Sequence, residues 1–249
     1  MNSISLSEVE EYVSENIGYF HNKRLNVIKQ LTLKKLIDKN PYLLRAKNVT
    51  KASELIDNSL NAFLSSSEEK LFGDFLEDLA IFVAGKTING HKSTCEGMDL
   101  EFQKDGIYNV VSIKSGTNWG NASQHSKLII DFSNAEKRLR QSNHISMVQK
   151  VLGICYGKTK TSILHGYMKI VGQNFWTYIS NNRNLYIDII EPMGYRAKEH
   201  NDAFTKEKDQ ITNILVAQFI TEYCTQSGSI NWGKLLEFNS GNYDLDKFN

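Results

Sequence analysis

Four stretches near the start of the chain repeat apolar residues every three or four positions, the helical period. Leu6, Val9, Val13 and Ile17 line one side of a helix predicted over residues 5–20, with Ser5 or Ser7 as its cap and Glu8, Glu10 and Glu11 in its first turn. Leu25, Ile28, Leu31 or Leu33, and Leu36 predict a second helix over about 22–38. Asn40-Pro41 should end it, because the residue before proline avoids the α region. A third helix opens at Thr50 or Ser53 and runs through Leu55, Ile56, Leu60 and Phe63. The polar run Ser65-Ser66-Ser67-Glu68-Glu69 is expected to stop it and cap a fourth, over about 68–84. That fourth helix carries Leu71, Phe72, Phe75, Leu76, Leu79, Ile81 and Phe82, apolar on most sides, so it should be buried.

After Gly85 the period drops to two. Residues 98–103 and 107–114 alternate, and Asp105-Gly106 between them is a strong hairpin signal. A helix is expected over 121–141 and a buried strand over 147–156. Further strands are expected over 163–170 and 185–190, with a short aromatic helix near Phe175–Tyr178. A long helix over 197–224 and a short one over 232–238 close the chain. This order predicts an α/β (α+β) fold: a central mixed sheet flanked by helices, with a helical N-terminal region and a long C-terminal helix. No repeat or linker interrupts it. One domain over 1–249 is expected, with 1–66 as the helical part, 67–160 as the central core, and 161–249 as the remaining sheet and C-terminal helices.

Composition narrows the possible functions. The chain has 249 residues, which one or two cores can accommodate. No run of about 18 apolar residues exists to span a bilayer. The first ten residues lack the basic start and apolar run of a secretory signal. Cys95, Cys155 and Cys224 are far apart and form no paired motif, so reduced thiols in a cytoplasm are expected rather than disulfides or zinc. Net charge is +1, yet residues 21–51 hold nine cations against the single acid Asp38. Such a segment suits a phosphate backbone, or is a solvated face balanced elsewhere.

A two-residue turn at Asp105-Gly106 sets Asp99 opposite Ser112 and Glu101 opposite Val110, with Lys114 one step diagonal from Asp99. Leu100, Phe102, Val111 and Ile113 then point to the core, and Asp99, Glu101, Ser112 and Lys114 share the other face. A slip of one residue would separate the polar set. Carboxylates hold Mg²⁺ through hard oxygens, and a neighbouring lysine orients a water and offsets charge at phosphorus. That is the minimum set for phosphodiester hydrolysis; the alternative is an ordinary surface ion pair.

Gly97-Met98-Asp99-Leu100-Glu101-Phe102, followed by Val111-Ser112-Ile113-Lys114, resembles the core of the PD-(D/E)XK nucleases. The longer strings VSIKSGTNWGNASQ (111–124), NPYLLRAKN (40–48), FGDFLEDLA (72–80), residues 189–194 and residues 232–241 are similar to a family of bacterial type II restriction endonucleases. The resemblance implies a restriction-endonuclease-like core, Mg²⁺-dependent cleavage of double-stranded DNA at a short sequence, a homodimer in the bacterial cytoplasm, and a cognate DNA methyltransferase.

By position, Asp99 matches the first acid, as a metal ligand, and Lys114 matches the motif's lysine. Ser112 stands where a second acid is expected, so that carboxylate must come from elsewhere. Glu101, on the same hairpin face, and Glu77, on a helix preceding the core strands, are the candidate catalytic and metal-holding acids. Asp131 and Glu136 on the following helix are alternatives. Asn118, Trp119, Asn121, Ser123 and Gln124 of the loop after Lys114 are candidate DNA contacts, as are Arg45, Lys47 and Asn48. Two other readings remain: a DNA-binding protein that has lost cleavage, motivated by Ser112, and a repair or recombination nuclease acting on branched DNA.

Overall fold

The computed structural model describes residues 4–143 and 145–247. Residues 1–3, part of the N-terminal segment weighed as a signal, lie outside them. The chain divides into two compact units. One comprises residues 1–20 and 71–197, the other residues 21–70 and 198–249. Each is discontinuous in sequence.

The first unit is built on a six-stranded mixed sheet in the order β1-β2-β3-β4-β6-β5. Its strands are β1 (His91–Lys92), β2 (Leu100–Lys104), β3 (Ile107–Lys114), β4 (Val148–Ile154), β5 (Ser162–Leu164) and β6 (Tyr167–Val171). β2 and β3 form the hairpin with Leu100 opposite Val111 and Lys104 opposite Ile107, the register expected from Asp105-Gly106. Both turn residues have positive φ, 52° and 77°, as a primed two-residue turn requires. β4 runs parallel to β3, and β6 parallel to β4.

Helices cover both faces of the sheet. On one face Leu100, Phe102, Val111 and Ile113 pack with Phe75, Leu79 and Val83 of α4 (Ala52–Ile88), Val9 and Val13 of α1 (Leu6–Lys29), and Phe175 and Trp176 of α6 (Gln173–Ser180). On the other, Val110, Leu152 and Ile154 pack with Leu128, Phe132, Ala135 and Leu139 of α5 (Ala122–Asn143). The second hairpin face is therefore not open. Glu101 and Ser112 are buried within it.

The second unit is helical. Its core joins Ile28, Leu36, Leu55, Ile56 and Leu60 to Phe204, Leu215 and Phe219 of α9 (Ala197–Tyr223) and Leu235 of α10 (Trp232–Ser240). Thr32 caps α2 (Leu33–Ile37), and Asn40 caps α3 (Pro41–Ala46), with proline at the first helical position.

Four local expectations are corrected: first, the helices expected over 5–20 and 22–38 are instead α1, unbroken to Lys29, and the short α2. The serine run does not break the helix: α4 continues through it, and the Ser66 and Ser67 hydroxyls donate to the carbonyls four residues back. Residues 163–170 form two strands, because His165 and Gly166 both take positive φ and make a turn. Residues 185–190 are not a strand but the short helices α7 (Leu185–Asp188) and α8 (Ile190–Met193). That apolar run is too short for its period to separate strand from buried helix. The cysteines are free. Among the described residues, no helix is long and apolar enough to cross a membrane.

Candidate active site

Asp99 stands just before β2, where the chain enters the sheet between β1 and β3. Its backbone N–H donates to the Val111 carbonyl at 2.9 Å, and its carbonyl accepts from Ser93 N at 3.0 Å. Its carboxylate is held through Oδ2. The Ile113 backbone N–H donates to it at 2.6 Å, the Ser112 hydroxyl at 3.3 Å, and Lys114 Nζ lies 3.8 Å away. Burial pushes the Asp99 pKa up, against the opposing pull of Lys114, Ile113 N–H, Ser112 and Lys92.

Glu77 comes to the same place from α4. Burial, and after it the charge of Asp99, raise its pKa to about 7 against the attraction of Lys92 and Lys114. Behind them Cys155, at the end of β4, is fully enclosed; burial pushes its thiol well above the usual range, and it feels the charges of Glu77, Lys114 and Asp99. Thus the Asp99–Lys114 pair sits at the open end of the hairpin, with Glu77 of α4 in its field.

Glu101 is placed differently. It is 2% exposed, and both its oxygens are occupied. Ser93 Oγ donates to Oε1 at 2.6 Å and Thr94 N at 3.1 Å, while the Tyr108 hydroxyl donates to Oε2 at 2.6 Å. Burial raises its pKa, but these hydrogen bonds outweigh it and hold the carboxyl below its ordinary value. Glu101 therefore fastens the residues between β1 and β2. Ser112, fully buried, uses its hydroxyl to position Asp99. Of the acids on α5, Asp131 pairs with Lys127 at 2.7 Å, and Glu136 with Lys150 and Arg140, each at 2.8 Å.

The loop after Lys114 runs into α5 through a capping box. Asn121 Oδ1 accepts from Gln124 N at 3.1 Å, and Gln124 Oε1 accepts from Asn121 N at 2.9 Å. Ser123 Oγ donates to Asn121 Oδ1 at 2.7 Å. These three side chains thus shape the helix start. Trp119 is half-buried, its ring 4.3 Å from that of His125 and 5.8 Å from Lys114 Nζ, so it forms a wall beside the lysine. Asn118 is exposed. Arg45, Lys47 and Asn48 lie at the end of α3 in the second unit, with Arg45 over the Trp232 ring at 5.6 Å.

Lys92 is a site neighbour that sequence reading missed. Its strand has two residues, too few to carry a period.

Chemically, the cluster offers hard oxygen donors beside two ammonium groups. Among the described residues, no three His, Cys, Asp or Glu side chains gather closely enough to hold a metal by themselves. Two carboxylates with substrate phosphate and water completing the shell is the way Mg²⁺ is usually bound. The raised pKa values of Glu77 and Asp99 are those of crowded carboxylates whose charge a dication would compensate. The donor set therefore fits Mg²⁺.

The family model described as type II restriction endonuclease EcoO109I matches residues 7–201. Among curated protein sequences no match is found.

Proposed function

The chain belongs to the EcoO109I family of type II restriction endonucleases, nucleases that act on DNA, and from that premise we propose that it hydrolyses both strands of double-stranded DNA at a short specific sequence, using Mg²⁺. The observation that carries this reading is the Lys114–Asp99 pair at 3.8 Å with Glu77 of α4 near enough to feel both charges. This supports a PD-(D/E)XK site whose second carboxylate would come from α4 rather than from β3, where Ser112 stands.

Glu77 and Asp99 would hold the metal, which when bound supplies a Lewis acid that offsets charge on the phosphate. The residues of the chain do the rest. Ser112 and the Ile113 N–H fix the Asp99 carboxylate so that it does not reorient during the reaction. The Lys114 ammonium holds the attacking water against the phosphate and stabilises negative charge as the water oxygen bonds to phosphorus and the sugar oxygen leaves. The proton lost by the water passes to solvent, and the leaving sugar oxygen takes up a proton from solvent. Trp119 shields one side of Lys114.

Cutting both strands of a twofold-symmetric site requires two such centres, so the active species is a homodimer. Cleavage at a short sequence would also destroy the host's own DNA in the bacterial cytoplasm. That calls for a methyltransferase that marks the same sequence. Ser112 favours one rival reading, a DNA binder without cleavage; against it, Glu77 is near enough to Asp99 to stand in for the missing acid.

Digestion of a plasmid of known sequence with Mg²⁺, followed by end mapping, tests the proposal. Discrete cuts at one repeated sequence are expected, lost in Lys114→Ala. Binding with no cutting would support the rival, and cutting restricted to junctions would support a branched-DNA nuclease.

A further inference from the structure

We infer that Lys92 is a second phosphate-holding lysine of the cleavage site, gripping the backbone of the strand being cut from the side opposite Lys114. The inference rests on the nuclease reading above and adds a residue to it.

The placement follows from how β1 returns along α4. The helix ends at Ile88, Asn89 takes φ 54°, and Gly90 N donates to the Ala84 carbonyl at 2.9 Å. A Cβ on Gly90 would lie 2.7 Å from the Ala84 Cβ, so the start of β1 is pressed against the helix. Ala84 and Glu77 are seven residues apart and share one face of α4. Two extended residues, about 6.6 Å of strand, then lead from this contact back along the helix in the direction of Glu77.

Alternation gives the direction of each side chain. His91 is opposite Glu101, and its Nε2 lies 4.0 Å from Glu101 Oε2, on the α5 side of the sheet. Lys92 is opposite Leu100, which packs on the α4 side, the side from which Glu77 enters. The next residue, Ser93, is hydrogen-bonded through its backbone to Asp99. Lys92 is thus held between a contact with α4 and a contact with Asp99. β2 lies between β1 and β3, so Asp99 has Lys92 on one flank and Lys114 on the other.

Both site carboxylates register the charge of Lys92. The residue is exposed, and among the described residues no carboxylate oxygen comes within ion-pair distance of its Nζ. Lys86, Lys127 and Lys150 of the same unit are each already paired. Glu77 and Asp99 engaged with a dication would leave Lys92 as a cation with solvent access beside the point of cleavage. A DNA phosphate has the charge and the acceptor oxygens to occupy it.

The test uses the full-length protein and a duplex containing a cleavage site mapped by digestion. Binding is followed by anisotropy in EDTA across about 50–200 mM salt, and single-turnover cleavage is followed in Mg²⁺. For Lys92→Ala, one lost phosphate contact lowers the slope of log K against log salt by about 0.9. Cleavage should slow by about 100-fold or more, as when one charge-stabilising donor is removed. Lys92→Arg should recover most of both effects. Slower cleavage with an unchanged salt slope would overturn the inference, leaving Lys92 as a partner of Glu77 alone; wild-type values for both would overturn it too. A wild-type protein that binds but never cuts would refute the nuclease reading instead, and the salt slope would still decide Lys92.

Discussion

Glu77→Gln should cost activity and add stability. In the folded protein the carboxyl titrates near 7, because burial and then Asp99 oppose its charge. Unfolded, it titrates near 4.5. The folded state therefore holds the proton more tightly. Stability associated with this group is fully present below about pH 4.5, falls as pH rises through about 7, and is flat above that. At full strength the displacement corresponds to about 3 kcal/mol. The group is only half-buried, so solvent screening reduces this to about 1–2 kcal/mol. The substituted amide carries no charge at any pH, so without metal the variant should be more stable than the wild type at pH 8 by that amount. For a chain of this size the midpoint rises by about 2–8 °C. At pH 4.5 the two should melt together.

Mg²⁺ should reverse the order at pH 8. It binds the native wild-type site and raises its melting temperature with concentration, while the variant responds weakly. Thermal unfolding in EDTA and in Mg²⁺, at both pH values, is the measurement. A variant less stable than wild type at pH 8 without metal would refute the account, because Glu77 would then be a satisfied structural acid like Glu101. A gain in stability with cleavage intact would refute its catalytic part.

Lys114→Ala and Asp99→Asn should each reduce plasmid cleavage by at least about 100-fold without unfolding the protein, read by end-point digestion beside circular dichroism. Asparagine is the appropriate replacement for Asp99, because alanine would strip the Ile113 N–H of its acceptor and cost about 1–3 kcal/mol in addition. Phe75→Ala, in the core between α4 and the sheet, should lower unfolding free energy by about 3–5 kcal/mol in denaturant titration; a loss under about 1 kcal/mol would contradict its burial. In the second unit, burial lowers the His21 pKa to about 4, with His200 and Arg24 adding to the effect. Its ring stacks on that of His200 at 4.2 Å. Because the folded state disfavours the charged imidazole, stability should fall as pH drops from about 6.5 toward 4. An NMR titration placing His21 near its ordinary value would refute this.

Local rules account for a large part of what the chain discloses unaided. Period-two alternation on either side of Asp105-Gly106 fixes the hairpin register from Lys104 opposite Ile107 to Leu100 opposite Val111, because it is a short-range consequence of backbone geometry; Asp99 lies just beyond that ladder, its N–H on the Val111 carbonyl. Leu100, Phe102, Val111 and Ile113 go to the core for the same reason. The helices near Val9 and Leu55 announce themselves through their spacing.

Long-range packing settles the remainder. Glu101 and Glu77 cannot be ranked along the chain, since both are acids within reach of Asp99 on paper. The difference lies in partners far from the hairpin turn. Ser93, Thr94 and Tyr108 occupy the oxygens of Glu101, whereas α4 brings Glu77 into the field of Asp99. The burial of the second hairpin face under α5 and the return of Lys92 beside Asp99 are likewise products of assembly. A chain's periodicity states which side of an element is apolar; which other element covers that side, and which charged groups then lose their water together, is a property of three dimensions.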